Sequence, residues 1–342
     1  MPEALHLIPA SAEEEWSRWL EPVPHDFYHT AAYHRFSEES GEGQGLLAVY
    51  GSRDRFLAWP YLLRPLGQLC DITSVYGYPG PVAFGCRGRP PEPDDPFLDR
   101  ARREIRELWR SQQAVSAFTR LHPLLENYRW AGDATACGAT VSIDLTLEEA
   151  VIWHDYQPGL RNRIHRGRRL GLATEIDETW LRLQDFAGFY HATMLRNHAA
   201  PSYFFSAAHF HRLKRALGSH AFLFLTRLGG DITAAGIFLE YAGIVQDHFS
   251  VNNEQYLLLA PSKVLLDDVR RWAKARGNRV FHLGGGRGSK QDSLFAFKAA
   301  FSRRRHVYYT CRSVLDPGAD RSLCDGLPVP ALEFFPAYRA QL

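Results

Sequence analysis

The sequence predicts an α/β (α+β) chain of two tandem units, each a mixed, mostly antiparallel sheet flanked by helices. Three observations carry this. Short apolar runs alternate with runs of helical period along the whole chain. The order of elements in residues 1–150 is met again in residues 151–317. The second set closes on a strand-like run ending at Leu283, a glycine-rich turn and an apolar helix-like run to Phe301. Residues 318–342 are expected to pack back on the first unit.

The elements follow in order. Residues 4–9 read as an edge strand, and Ser11 with the acidic residues after it opens a helix carrying Trp16, Trp19 and Leu20. A second helix carries Tyr33 and Phe36. Residues 45–50 and 55–64 form a hairpin with Arg53 and Asp54 at its tip. Residues 71–82 read as a loop stiffened by Pro79 and Pro81 and displaying Tyr76 and Tyr78. An amphipathic helix at 95–113 and strands at 114–119 and 139–145 complete the first unit.

In the second unit, a basic helix spans 160–170, a long helix 180–198 and another 206–217. Strands at 221–227, 232–240 and 243–249 precede a helix at 260–276. Along the third strand, Gln246 and His248 alternate with Asp247 and Phe249.

Composition sets outer limits. The chain has 342 residues, 45% hydrophobic and 23% charged, ample for two cores. A net charge of +2 demands no polyanionic partner overall. Five cysteines without a C-x-x-C pair argue against a disulfide scaffold and a zinc site, and no metal is expected. No apolar run approaches 18 residues and no basic-then-apolar leader opens the chain, so a cytoplasmic protein without a membrane span is expected.

The turn Gly284-Gly-Gly-Arg-Gly288 is neither a Walker loop nor a dinucleotide fingerprint. Its glycines serve either as a tight connection or as backbone that a ligand approaches closely. Lys298, between Phe297 and Phe301, either snorkels to solvent or points its charge into a site. Arg161, Arg163, Arg166, Arg168 and Arg169 form one basic cluster, and Arg303, Arg304 and Arg305 a second. Each is either a solvated face or a contact for phosphates.

Four phrases, in order, carry a resemblance. They are Tyr76-Gly-Tyr-Pro-Gly-Pro81, Arg161-Asn-Arg-Ile-His-Arg-Gly-Arg-Arg-Leu-Gly171, Phe189-Tyr-x-x-Thr-x-x-Arg-Asn197, and Gly284-Gly-Gly-Arg-x-x-x-x-Asp-Ser-Leu-Phe-x-Phe-Lys298. Together they resemble the FemABX-like branch of the GNAT acyltransferases, which has two tandem GNAT domains. The resemblance implies amide-bond formation by transfer of an aminoacyl group from aminoacyl-tRNA to an amine of a peptide or peptidoglycan precursor. It implies a reaction centre at Phe297 and Lys298, an acceptor contact at Arg196, and an acceptor groove lined by Tyr76 and Tyr78. Tyr203 and Asp247 are further acceptor-side candidates. Arg161, Arg163, Arg166, Arg287, Arg303 and Arg304 are candidates for the phosphates of the donor, a tRNA or a nucleotide. The sequence departs from the family pattern in having Asn197 after the arginine, and it shows no match to the family's acceptor-phosphate lysine near Tyr33 to Ser37.

The chemistry follows from the residues. Amine attack on an ester or thioester builds an oxyanion, which Lys298 and N–H groups of the glycine turn could stabilise. Asp247 or His248 could take the proton, although strand-surface hydrogen bonding is the simpler account of both. Two alternatives stand beside aminoacyl transfer. One is an acetyl-CoA-dependent N-acetyltransferase, disfavoured because Tyr256-Leu-Leu-Leu-Ala-Pro261 lacks the glycines of a pyrophosphate loop. The other is a GNAT-like module that binds without catalysis.

Overall fold

The computed structural model describes residues 3–85, 88–329 and 334–340. The chain forms two compact units, residues 1–137 with 307–342 and residues 138–306. The sequence placed the division near 150 and 317.

In unit 1, β1 (Ala4–Pro9), β2 (Gln44–Ser52), β3 (Arg55–Leu66), β4 (Leu69–Thr73), β6 (Ala114–Arg120) and β13 (Arg305–Val314) lie side by side in that order, with β5 (Val82–Phe84) also paired to β3. All pairs are antiparallel except β4 with β6. Strand β2 is continuously buried from Gly45 to Val49 and β3 from Phe56 to Leu62. The period of two explains why. Leu46, Ala48, Leu57, Trp59 and Tyr61 pack with Phe97, Ile105 and Trp109 of α3 (Pro96–Ser111). Leu47, Val49, Phe56 and Ala58 enter a second core with Trp16 and Trp19 of α1 (Glu13–Leu20) and Ala31 of α2 (Ala31–Glu39). A sheet covered on both faces needs continuous apolar strands, and the hairpin has them.

Two expectations shift here. Helix α1 takes Ala12 as its N-cap with no side-chain hydrogen bond, so Ser11 does not cap it. The stretch read as a loop from 71 is already strand at its start and again at β5. Asp71, fully buried in β4, accepts from Arg64 Nε at 2.6 Å and Arg339 Nε at 2.7 Å, and these partners remove the cost of its burial. Strand β13, for which the sequence raised no expectation, begins inside the second basic cluster at Arg305 and pairs with β6 from Thr310 to Val314.

In unit 2 the order is β7 (Ala134–Asp144), β12 (Val280–Gly285), β11 (Ile244–Asn252), β10 (Asp231–Tyr241), β9 (Ala221–Leu228) and β8 (Ala173–Ile176). Only β11 and β12 are parallel. Helices α5 (Glu149–Asp155), α6 (Pro158–Arg169) and α9 (Pro261–Ala275) share a core with Phe224, Phe238 and Phe281. Helices α7 (Leu183–Arg196) and α8 (Ala207–Leu217) bring Tyr190 and Phe210 to Phe249, at centroid distances of 5.7 and 5.4 Å. Under α9, the fully buried Arg270 donates to Asp267 Oδ1 at 2.6 Å, to the Tyr156 hydroxyl at 3.2 Å and to Glu149. Arg168 of α6 donates to both Asp267 and Asp268. This ionic knot fastens α5 and α6 to α9.

Candidate functional site

The site in unit 2 starts from a fault in two strands. Strands β11 and β12 pair over only three positions, Ile244↔Val280, Val245↔Phe281 and Gln246↔His282. Just past these, each strand carries a β-bulge against its other neighbour. In β11, Asp247 faces Phe238 and Phe249 faces Ile237, which leaves His248 as the extra residue. In β12, His282 faces Ser142 and Gly284 faces Val141, which leaves Leu283 as the extra residue. Two bulges at the end of one short parallel ladder bend both strands and end their pairing.

The bulge also resets which side chains share a face. Strict alternation would put Asp247 and Ser250 on opposite faces. With His248 out of step, both lie on one face and Ser250 Oγ donates to Asp247 Oδ1. The simple alternation read from the sequence is therefore broken at this point.

Lys298 reaches the same place from α10 (Ser293–Ala299), whose N-cap Asp292 accepts from the Phe295 N–H at 2.9 Å. The glycine turn makes room for it. Gly284 has φ +76°, and a Cβ there would stand 3.2 Å from Lys298 Nζ. A Cβ at Gly286 would collide with the Lys290 carbonyl at 2.0 Å. Gly286 thus serves as a tight connection, while at Gly284 it is the chain's own Lys298 that comes close to the backbone.

Asp247 and Lys298 perturb each other. Both are partly open to solvent, in a recess dense enough in protein atoms that dehydration dominates. Burial raises the Asp247 carboxyl above its ordinary range, against the opposing pull of Lys298 and Ser250. Burial lowers the Lys298 ammonium below its ordinary range, against Asp247 and Asp292. Beside them, burial pushes His248 down to about 3, with His209 adding to the shift, and His209 itself to about 4. Both imidazoles lie against aromatic rings, His248 4.4 Å from Phe249 and His209 5.6 Å from Phe210.

Two links tie the rim. Arg196, the last residue of α7, is paired with Glu254. Arg287 donates to Asp292 Oδ2 at 2.9 Å and to Asn197 Oδ1 at 3.3 Å, joining the glycine turn to the end of α7. The sequence reading missed Glu254, and it held Asp292 in a phrase without giving it a role. The second had a signal, since Asp before Ser-Leu-Phe marks a helix N-cap.

The other candidates are placed as follows. Phe297 packs against the unit 2 core, its ring 5.6 Å from Phe301. Tyr203 ends a short 3₁₀ turn (Pro201–Tyr203), and its carbonyl accepts from the Tyr190 hydroxyl at 2.7 Å. Arg163 and Arg166 are exposed on α6, whereas Arg161 turns back to the carbonyls of Trp153 and His154. Arg303 lies 3.5 Å from Asp155, and Arg304 pairs with Asp144. Tyr76 and Tyr78 belong to unit 1. The Tyr76 carbonyl accepts from the Tyr33 hydroxyl at 2.9 Å, and Tyr78, its phenol pKa raised by burial, sits edge-on to Tyr308 at 5.2 Å. Among the described residues no group of three or more His, Cys, Asp or Glu is arranged to hold a metal ion, and no helix is long and apolar enough to cross a membrane.

Residues 156–299 match the family model described as the acetyltransferase (GNAT) domain, so unit 2 carries a GNAT-type acyltransferase domain. The chain is similar to the crystal structure of FemX, with a TM-score of 0.69 at 11% identity, covering 94% of this chain and 99% of that one. It is similar to the C-terminal domain of a putative lysylphosphatidylglycerol synthetase from Agrobacterium fabrum (TM-score 0.55, 17% identity, 91% and 94% covered). It is also similar to L-PGS from Bacillus licheniformis (TM-score 0.55, 12% identity, 95% and 96% covered). No curated protein matches the sequence. The fold is shared with FemX along almost the whole chain, and the GNAT match lies within the second unit.

Proposed function

We propose that the protein transfers an aminoacyl group from aminoacyl-tRNA to an amine of a peptide or peptidoglycan-precursor acceptor. The observation that carries this reading is Lys298 set against Gly284 and Asp247 where two parallel strands part. The acceptor amine gives its proton to Asp247 and attacks the ester carbonyl. The Lys298 ammonium stabilises the oxyanion that forms, in a recess where a fixed charge counts for more than it would in water. Collapse of the intermediate forms the amide bond and expels the ribose oxygen, which takes up the proton that Asp247 accepted. Arg196 contacts the acceptor, with Tyr203 as a further acceptor-side group. Arg163, Arg166 and Arg287, with Arg161, Arg303 and Arg304, are the cations available to donor phosphates. FemX-like structure supports aminoacyl rather than acetyl transfer.

The donor question turns on one segment. Between β11 and α9 the chain runs through a 3₁₀ helix, Glu254–Leu259, and Pro261 sits at the first position of α9. Neither glycine nor a free first N–H is offered there to a pyrophosphate, which favours an aminoacyl ester over acetyl-CoA. The test is a transfer assay with pooled labelled aminoacyl-tRNAs beside labelled acetyl-CoA, against small peptides and peptidoglycan precursors. RNase-sensitive transfer that falls about a hundredfold or more in Lys298→Ala is the expected result. Transfer from acetyl-CoA alone would overturn it.

A further inference from the structure

Asp247 has two carboxylate oxygens, and the proposed reaction uses one. The other is held. Ser250 Oγ donates to Oδ1, which leaves Oδ2 as the oxygen without that donor. The contact joins residues three apart on a strand, and regular pleating points such residues to opposite faces. The extra residue His248 makes it possible. Past that bulge, Asp247 lies opposite Phe238 and Ser250 opposite Gly236, two positions on one face of β10.

The surroundings show why a hydroxyl matters there. Phe238 is fully buried, and its ring leans back over Gly236, where a Cβ would meet it at 2.6 Å. The residue across the strand from Asp247 is therefore apolar and offers the carboxylate no side-chain hydrogen bond. From α10, the cation that acts on Asp247 is Lys298. His248, beside it on β11, and His209 of α8, which acts on His248, are neutral except in acid, at about 3 and about 4. Lys298 is a point charge on a flexible stem and does not choose between two carboxylate oxygens. A short hydroxyl side chain does, and it gives up little rotamer freedom in doing so.

We infer that Ser250 is a positioning residue for the proton transfer: it clamps Oδ1, fixes the carboxylate and presents Oδ2 to the acceptor amine. In that step an N–H bond of the amine breaks, its proton passes to Oδ2, and the nitrogen electron pair forms the bond to the carbonyl carbon. Ser250 keeps its own proton throughout. The inference rests on the reading of Asp247 as proton acceptor, and it holds whichever acyl donor is used.

The experiment compares the parent with Ser250→Ala and Ser250→Thr in two measurements on the full chain. One is the titration of the Asp247 carboxyl by carbon-13 NMR, assigned with Asp247→Asn. The other is the pH profile of transfer with whichever donor supports it. Removing a hydrogen bond to the charged form raises a carboxyl pKa. Ser250→Ala is therefore expected to move the NMR midpoint and the acid limb up by about one pH unit. It is also expected to lower plateau kcat about tenfold with KM little changed. Ser250→Thr keeps the hydroxyl and is expected to keep the parent's midpoint and acid limb. The alkaline limb, which Lys298 sets, is expected to stay in place in both. An unmoved midpoint in Ser250→Ala would overturn the inference, as would equal losses in the Ala and Thr variants at equal melting temperature. A midpoint that moves while Asp247→Asn retains the parent's rate would sink Asp247 as proton acceptor, and this role of Ser250 with it. Transfer from acetyl-CoA alone would overturn the aminoacyl reading and leave this one standing.

Discussion

Asp247 and Lys298 have their ordinary ionisation shifted toward each other, and that fixes the expected pH dependence. The proposed reaction needs Asp247 ionised and Lys298 protonated. With Asp247 raised, activity is lost as pH falls through a value above the usual carboxylate range; with Lys298 lowered, it is lost as pH rises through a value below the usual lysine range. The kcat/KM profile is expected to be a bell narrower than ordinary pKa values would give, and Asp247→Asn to lose the acid limb. Gly284→Ala is expected to cut kcat strongly, since φ +76° disfavours a side chain and the new Cβ meets Lys298 Nζ; unchanged kcat would count against this placement of the lysine. The buried histidines act on stability instead. His34, fully buried against Trp16, is held down to about 4 from 6.5. The unfolded chain binds the proton that the folded one refuses, so stability is intact above pH 6.5 and falls as pH drops toward 4, by about 1.4 kcal/mol per pH unit. Urea midpoints between these pH values check this, and His34→Gln is expected to flatten the slope. Of these residues, Lys298 stood out in the sequence because a charge interrupts an apolar helix. The pairing of Ser250 with Asp247 did not, because it depends on one residue being out of step.

At the scale of elements, the ionic knot under α9 is the strongest local commitment. Arg270→Met would leave Asp267 buried beside a lost partner, at an expected cost of about 3–5 kcal/mol. Replacing both, as Asp267→Leu with Arg270→Met, is expected to recover much of that, and denaturant titration of the single and double variants separates the two outcomes. Helices α9 and α10 were legible because their apolar positions recur at three and four. The hairpin of β2 and β3 was legible from two apolar runs around a turn. Strands β4, β5 and β13 were not. Strand β4 hides Asp71, whose partner Arg339 lies far along the chain, and β13 mixes Arg305, His306 and Arg312 with its apolar residues. Long-range partners decide such segments, and a single sequence does not print them.

For the molecule as a whole, unit 1 is assembled from both ends of the chain while unit 2 is the stretch between them. Removal of residues after 306 is therefore expected to damage unit 1 more than unit 2. It strips β13 from β6 and takes away the buried Cys311 and Leu315. Limited proteolysis of such a truncation should cut first within residues 1–137; preferential cutting of 138–306 would contradict this. The repeat of element order made two units legible, but the points of crossing are fixed by pairing between distant strands and were not. The same arrangement orders events on the ribosome. Residues 138–306 emerge complete and free to fold, while the β6 edge of the earlier-made unit stays open, exposed to wrong pairing, until β13 has been made.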